Sequence, residues 1–184
     1  MAGKLEGMRI AILATDGVEQ VELTEPRAAV TREGARSEIV SISDREIQAV
    51  NHDLEAADTF AVDRSVGNVS ADDYDALLIP GGTVNADKLR VDEDVRLFVR
   101  GIVEAGKPVG VICHAPWTLI DAEIAPGRTL TSYPSVWTDL RNAGATVLDQ
   151  EVVLDRGIVS SRSPKDLPAF CATVVEEFAS ARVS

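Results

Sequence analysis

Short apolar runs alternate with amphipathic stretches along this chain, and that rhythm predicts its elements. Met8-Arg-Ile-Ala-Ile-Leu-Ala14 reads as a buried strand entering an acidic loop at Thr15-Asp-Gly-Val18. Leu23, Ala29 and Val30 fall on one face at helical spacing, so residues 21–33 read as a helix, with Pro26 near its first turn and Gly34 closing it. Residues 36–42 alternate as a second strand. Residues 43–69 are charged, with short β-like pieces such as 59–62, and are consistent with a small hairpin excursion. Ser70-Ala-Asp-Asp-Tyr74 reads as a capped turn before the strand Ala76-Leu-Leu-Ile79, which ends in Pro80-Gly-Gly82. Asp92 can cap a helix whose Val95, Phe98, Val99, Ile102 and Val103 repeat at helical spacing up to Gly106. A strand to Cys113 follows. Later come a helix near 136–143, short strands around 147, 152–154 and 158–160, and a last helix over about 166–179.

Strands alternating with helices predict an α/β fold: a doubly wound, mostly parallel sheet covered by helices on both faces. The length of 184 residues suits one domain over 1–184, and no internal repeat or interdomain linker is visible. Ligands of such sheets sit beyond the carboxyl ends of the strands. Three loops reach that edge, carrying Glu19 with Glu22, Pro80-Gly-Gly82, and Cys113-His114.

The last of these is the most informative. In Gly106-Lys-Pro-Val-Gly-Val-Ile-Cys-His-Ala-Pro-Trp117 a strand stops at Cys113-His114, and Ala115-Pro116-Trp117 opens a helix, proline being suited to a first turn. A cysteine on a sharp strand-to-helix turn has the geometry of a nucleophile elbow, with a thiol in place of a hydroxyl. The helix N-terminus is expected to favour the thiolate and lower the Cys113 pKa.

Composition narrows the picture. A formal charge of −12 with scattered lysines and arginines argues against nucleic-acid binding through a basic patch. No apolar run reaches the ~18 residues of a membrane span, and residues 1–7 show no signal peptide, so a cytoplasmic location is the default expectation. The two cysteines, Cys113 and Cys171, make no disulfide framework. With only His52 and His114 available, no metal centre and no cofactor is expected.

The same loops carry a family resemblance. Asp16-Gly-Val-Glu-Gln-Val-Glu22, Leu78-Ile-Pro-Gly-Gly82, Gly106-Lys-Pro-Val-Gly-Val-Ile-Cys-His-Ala-Pro116 and Ser160-Ser-Arg-Ser-Pro-Lys-Asp-Leu-Pro-Ala-Phe170 resemble, in order, the ThiJ/PfpI superfamily of the class I glutamine amidotransferase-like fold. The PfpI-like intracellular protease and stress-protein branch is the most similar. The resemblance implies a flavodoxin-like sandwich with Cys113 at the elbow. It implies Glu22 beside the thiol as a protonated carboxyl, Glu19 as a second acid of that loop, and an oxyanion hole near Gly81, Gly82, His114 and Ala115. It also implies a homodimer in which an acid from the neighbouring subunit orients the histidine, and Asp87 is the best match. Ala115 stands where many members have glycine.

Other readings compete at each residue. His114 can move protons, or mainly lend its backbone N–H to an oxyanion and pack at an interface. Asp87 can be a solvated helix residue. Glu22 is expected to be protonated near neutral pH through burial and like charge. Trp117 can line the pocket, pack a dimer or fill core; Tyr133 and Trp137 can wall the same cleft. His52 reads as a surface histidine. Arg162 fits either a substrate carboxylate or a structural ion pair, and Cys171 reads as an ordinary buried thiol. The resemblance makes a stress-response cysteine enzyme the leading expectation, acting on reactive carbonyls or early glycation adducts. A PfpI-type peptidase, or a redox-sensing protein in which Cys113 is oxidised, is the alternative.

Overall fold

A computed structural model describes residues 3–181; the expectations for residues 1–2 and 182–184 lie outside the described residues. In chain order the elements are β1 (Arg9–Leu13), β2 (Val18–Glu19), α1 (Gln20–Arg32), β3 (Arg36–Ser41), β4 (Glu46–Asn51), β5 (Glu55–Ala61), β6 (Arg64–Ser65), β7 (Ala76–Ile79), α2 (Thr83–Arg90), α3 (Glu93–Glu104), β8 (Val109–Ile112), α4 (Pro116–Asp121), β9 (Thr129–Leu130), α5 (Trp137–Asn142), β10 (Thr146–Val147), β11 (Val152–Asp155), β12 (Ile158–Ser161) and α6 (Leu167–Ala181).

The main sheet has the order β11-β12-β8-β7-β1-β3-β6, with only β11 antiparallel to its neighbour. Period-two alternation sorts its side chains into two cores. Ile10, Ile12, Leu78, Ile112 and Val159 pack against Leu23 and Val30 of α1 and Phe170, Val174 and Phe178 of α6. Ala11, Leu13, Leu77, Ile79, Val109 and Val111 face the other way, onto Val95, Phe98, Val99 and Ile102 of α3, Leu119 of α4 and Leu140 of α5. This is the doubly wound α/β sandwich that the alternation predicts.

Local signals act as expected in several places. The Asp92 side chain accepts from Val95 N–H at 3.0 Å, capping α3. Ser70 and Asp73 form a reciprocal capping box. Residues 43–69 contain the β4–β5 hairpin, which forms a separate small sheet with β2. The sequence reading set no bounds for the helix α2, though a helical Asp87 was among its alternatives, and it had no counterpart for the strand β9. Gly82 opens α2 without a side-chain cap, so the usual start signal is missing there. No helix among the described residues is long and apolar enough to cross a membrane.

Candidate active site

At the carboxyl end of β8, Cys113 takes a left-handed backbone, φ 64°, which a residue with a Cβ adopts only under constraint. Two bonds hold it there: its N–H donates to the Ser161 carbonyl (3.0 Å), and its own carbonyl accepts from Tyr133 N–H (2.9 Å). The Pro80-Gly-Gly turn comes up beside it. A Cβ on Gly81 would lie 2.3 Å from Glu22 Oε2 and 2.6 Å from Cys113 Cβ, so only glycine allows this approach. Gly82 has φ 96°, and a Cβ there would strike the Gly17 carbonyl at 2.2 Å. Asn85, at 0% exposure, locks the turn: its amide donates to the carbonyls of Pro80 and Gly81, both at 3.0 Å, and its Oδ1 accepts from Thr15 N–H at 2.7 Å. Sequence reasoning missed Asn85, because its partners are brought to it by α2.

The thiol faces His114 and Glu22. Cys113 Sγ lies 3.1 Å from His114 Nδ1. Glu22 is 1% exposed; its Oε2 accepts from Gly81 N–H at 2.8 Å, and no hydrogen bond reaches its Oε1. Burial pushes the Glu22 carboxyl up to about 8, against the pull of the Gly81 N–H, and the charge of Glu19 adds to the rise. Burial thus favours the neutral carboxyl of Glu22 at pH 7, beside the Cys113 thiol.

The Cys113 thiol does not behave as the helix-end argument predicts. Burial pushes it well above the ordinary thiol range, the Glu22 charge pushes the same way, and the N–H groups of Gly82 and His114 pull it down by less. The physical reason is scale: α4 has only six residues, whereas Sγ is almost fully out of water.

His114 is buried and stacks on Tyr133, with ring centroids 4.7 Å apart, and tilts against Trp117 at 5.3 Å. Its Nε2 lies 3.2 Å from Ser135 Oγ and 3.4 Å from Thr83 Oγ1. Burial lowers its pKa, and the charge of Asp53 opposes that. Asp87 sits on the exposed side of α2, and no bond joins it to His114 within the chain. The residue expected to back the histidine in trans is thus absent from the site of a single subunit.

Glu19 is not a proton-moving neighbour of the thiol in this geometry. Its carboxylate accepts the backbone N–H groups of His52 (2.9 Å) and Asp53 (3.1 Å), tying down the β4–β5 hairpin tip. His52 and Asp53 have φ of 53° and 64°, and Asp53 Oδ1 in turn accepts the Thr83 N–H at 2.9 Å. The hairpin therefore walls a cavity of about 280 Å³ lined by Glu19, Glu22, His52, Asp53, Cys113, Tyr133 and Pro164. His52, read as a surface residue, stands at this cavity. Asp53 was missed entirely, since a solvated turn residue carries no local signal of a site 60 residues downstream.

Three expectations are corrected here. Ala115 N–H is committed to the Ile112 carbonyl at 3.1 Å, so it is not an oxyanion donor. Trp117 does not line the cavity; it backs His114, donates to Asp139 at 2.8 Å and lies under the Arg90 guanidinium. Trp137 likewise turns away, donating to the Ser132 carbonyl. Arg162 resolves as a structural ion pair with Asp166 and Asp149, both at 2.8 Å. A larger cavity of about 610 Å³ lies between α1 and α6, beside Cys171 and away from this chemistry. Among the described residues no group of three His, Cys, Asp or Glu is arranged to hold a metal.

The chain is similar to known proteins along nearly its whole length. It is 40% identical to protein/nucleic acid deglycase 2 of Escherichia coli (strain K12), over 88% of this chain and 92% of that protein. The same identity links it to YraA of Bacillus subtilis (strain 168), whose name suggests a cysteine protease, over 88% of this chain and 93% of that protein. The crystal structure of Drosophila melanogaster DJ-1beta superposes with a TM-score of 0.84 at 25% identity, covering 94% of this chain and 90% of that one. The sequence model of the DJ-1/PfpI family matches residues 8–177. With the elbow cysteine, its histidine and the buried glutamate in place, the chain belongs to the DJ-1/PfpI family.

Proposed function

We propose that this chain is a stress-response cysteine enzyme acting on small reactive carbonyls or early glycation adducts. The observation that carries the reading is the placement of Cys113 Sγ in a cavity of about 280 Å³, between His114 Nδ1 at 3.1 Å and the neutral carboxyl of Glu22. A cavity of that size suits a small aldehyde better than an extended peptide.

The chemistry follows from the groups present. His114 Nδ1 takes the thiol proton as Sγ adds to the aldehyde carbon; the carbonyl π pair moves to oxygen, and Glu22 Oε1–H protonates it. The N–H groups of Gly82 and His114, which already point at Sγ, favour the negative charge that develops there. For an α-oxoaldehyde, transfer of the C1 proton to C2 through an enediol converts the hemithioacetal to a thioester. Water then releases a 2-hydroxy acid and the thiol. Oxidation at C1 balances reduction at C2, so water is the only co-reactant. For an early adduct on an amine, a hemiaminal, the O–H proton passes to His114 Nδ1, C=O re-forms as the C–N bond breaks, the leaving amine takes the Glu22 proton, and once those protons are returned Sγ adds to the aldehyde so released.

A homodimer completes the proposal, with Asp87 of the partner subunit near the His114 Nε2 side, where Ser135 and Tyr133 are exposed. Sedimentation showing a monomer at micromolar concentration removes that part. The main reading is tested by following methylglyoxal with proton NMR. Cys113-dependent formation of lactate supports it. No turnover in wild type, with peroxide adding two oxygens to Cys113, replaces it by a redox role in which the free Glu22 Oε1–H holds the sulfinate.

A further inference from the structure

We propose that the Cys113 cavity selects by charge: it admits neutral and cationic carbonyl compounds and excludes those bearing a carboxylate or phosphate, with Asp53 as the specificity-determining residue. The proposal deepens the reading of Cys113 as a carbonyl-directed nucleophile and rests on it for the nature of the substrate; the charge of the cavity is a separate matter.

The lining carries the argument. Glu19, Glu22 and Asp53 contribute carboxyl groups, Tyr133 and Pro164 are uncharged, and His52 is the one basic residue among the lining side chains, with His114 behind the thiol. No lysine or arginine lines the cavity. Arg162, two residues from Pro164, is held by Asp166 and Asp149. A site built for a carboxylate or phosphate presents an arginine fork or a lysine, because an anion leaving water needs a charged donor in return. Here the field has the opposite sign: Glu19 and Asp53 act as negative charges on Glu22, and Asp53 does so on His114 as well. Between protein walls such charges act at a lower dielectric than in bulk water.

Asp53 is a built part of the wall. Its left-handed backbone (φ 64°) is pinned by the Glu19 carboxylate, and its own Oδ1 is fixed by the first N–H of α2. A second observation points to a ligand at the same place. Glu22, which lines the cavity, holds a buried Oε1 that has no hydrogen-bond partner, and such an unmet group is costly until a guest oxygen accepts from it. An uncharged carbonyl oxygen meets that need without bringing a second negative charge beside Glu19 and Asp53.

The test alkylates Cys113 with two reagents of similar size and opposite charge character, iodoacetamide and iodoacetate. In each the thiolate attacks the methylene carbon, the C–S bond forms as the C–I bond breaks, iodide leaves, and the thiol proton passes to buffer. Rates at Cys113 are read from its own peptide by mass spectrometry, which separates it from Cys171, and are divided by the rates with N-acetylcysteine. The expected result is an amide-to-acid preference at least about tenfold above that of the free thiol, the scale of one carboxylate acting across a few ångströms of protein. Asp53→Asn, which keeps an oxygen for the Thr83 N–H, lowers that preference several-fold, and Asp53→Glu restores it. A wild-type preference equal to that of N-acetylcysteine overturns the proposal. So does an Asp53→Asn protein that discriminates like wild type. These outcomes do not depend on turnover. If methylglyoxal is not consumed but the preference is present, the carbonyl reading fails and the charge filter stands. If methylglyoxal and glyoxylate are consumed equally well, the filter fails and the carbonyl reading stands.

Discussion

The two cysteines lie on the same side of the question of reactivity and on opposite sides of its answer. Both thiols are pushed up by burial, Cys171 to about 11 and Cys113 further, and both feel a carboxylate from α1. For Cys171 that neighbour is the exposed Glu25, and it stands in mid-helix beside the larger cavity, with Arg32 acting in the other direction. For Cys113 the neighbour is the buried Glu22, itself short of a hydrogen bond, and a histidine nitrogen lies 3.1 Å from sulfur. Cavity size and thiol pKa therefore do not separate the two. What separates them is a backbone turn that aims sulfur at groups able to exchange a proton with it.

Replacing each cysteine breaks the comparison most directly. Cys113→Ala is expected to lower methylglyoxal turnover by about 10⁴-fold or more, as loss of a nucleophile does. Cys171→Ala is expected to leave it within about twofold. The proton NMR assay reads both, and equal losses would end the distinction. The next effect is steric. Gly81→Ala forces a Cβ between Glu22 and Cys113, and is expected to lower unfolding free energy by about 1–3 kcal/mol and to abolish turnover. Urea denaturation and the same assay check it.

Glu22 sharpens the comparison through pH. Its folded-state pKa is raised from 4.5 to about 8, so the folded protein keeps a proton that the unfolded chain releases. The stability this group contributes is full below about 4.5, declines as pH rises, and is gone above about 8, with a slope of roughly 1.4 kcal/mol per pH unit in between. Glu22→Gln, neutral at every pH but unable to give up a proton, is expected to flatten that slope and to lower turnover at every pH, whereas wild-type turnover is expected to fall only above about pH 8. Urea titrations from pH 5 to 9 read the first, and pH–rate profiles the second. Glu25→Gln beside Cys171 is expected to change neither.

Much of the fold was legible because its signals are local. The apolar spacing of Val95, Phe98, Val99 and Ile102 and the cap at Asp92 specify α3 within a dozen residues. The elbow was legible for the same reason, as strand, cysteine, histidine and proline follow one another. The helix α2 was not, since it opens on Gly82 with no side-chain cap and owes its place to Asn85 gripping the Pro80-Gly-Gly turn. Nor were Ala115 and Trp117 placed correctly: which N–H is spent inside a turn, and which side of a helix start meets a cavity, depend on neighbouring segments.

By itself the sequence determined the doubly wound sheet, the position of the elbow and the cysteine upon it, because periodicity, glycine and proline act over a few bonds. Only the tertiary structure decided the direction of the Cys113 pKa, the Glu19 clamp on the hairpin and the presence of Asp53 at the cavity. Desolvation and charge depend on which distant segments are folded against a group, and no run of neighbouring residues encodes that.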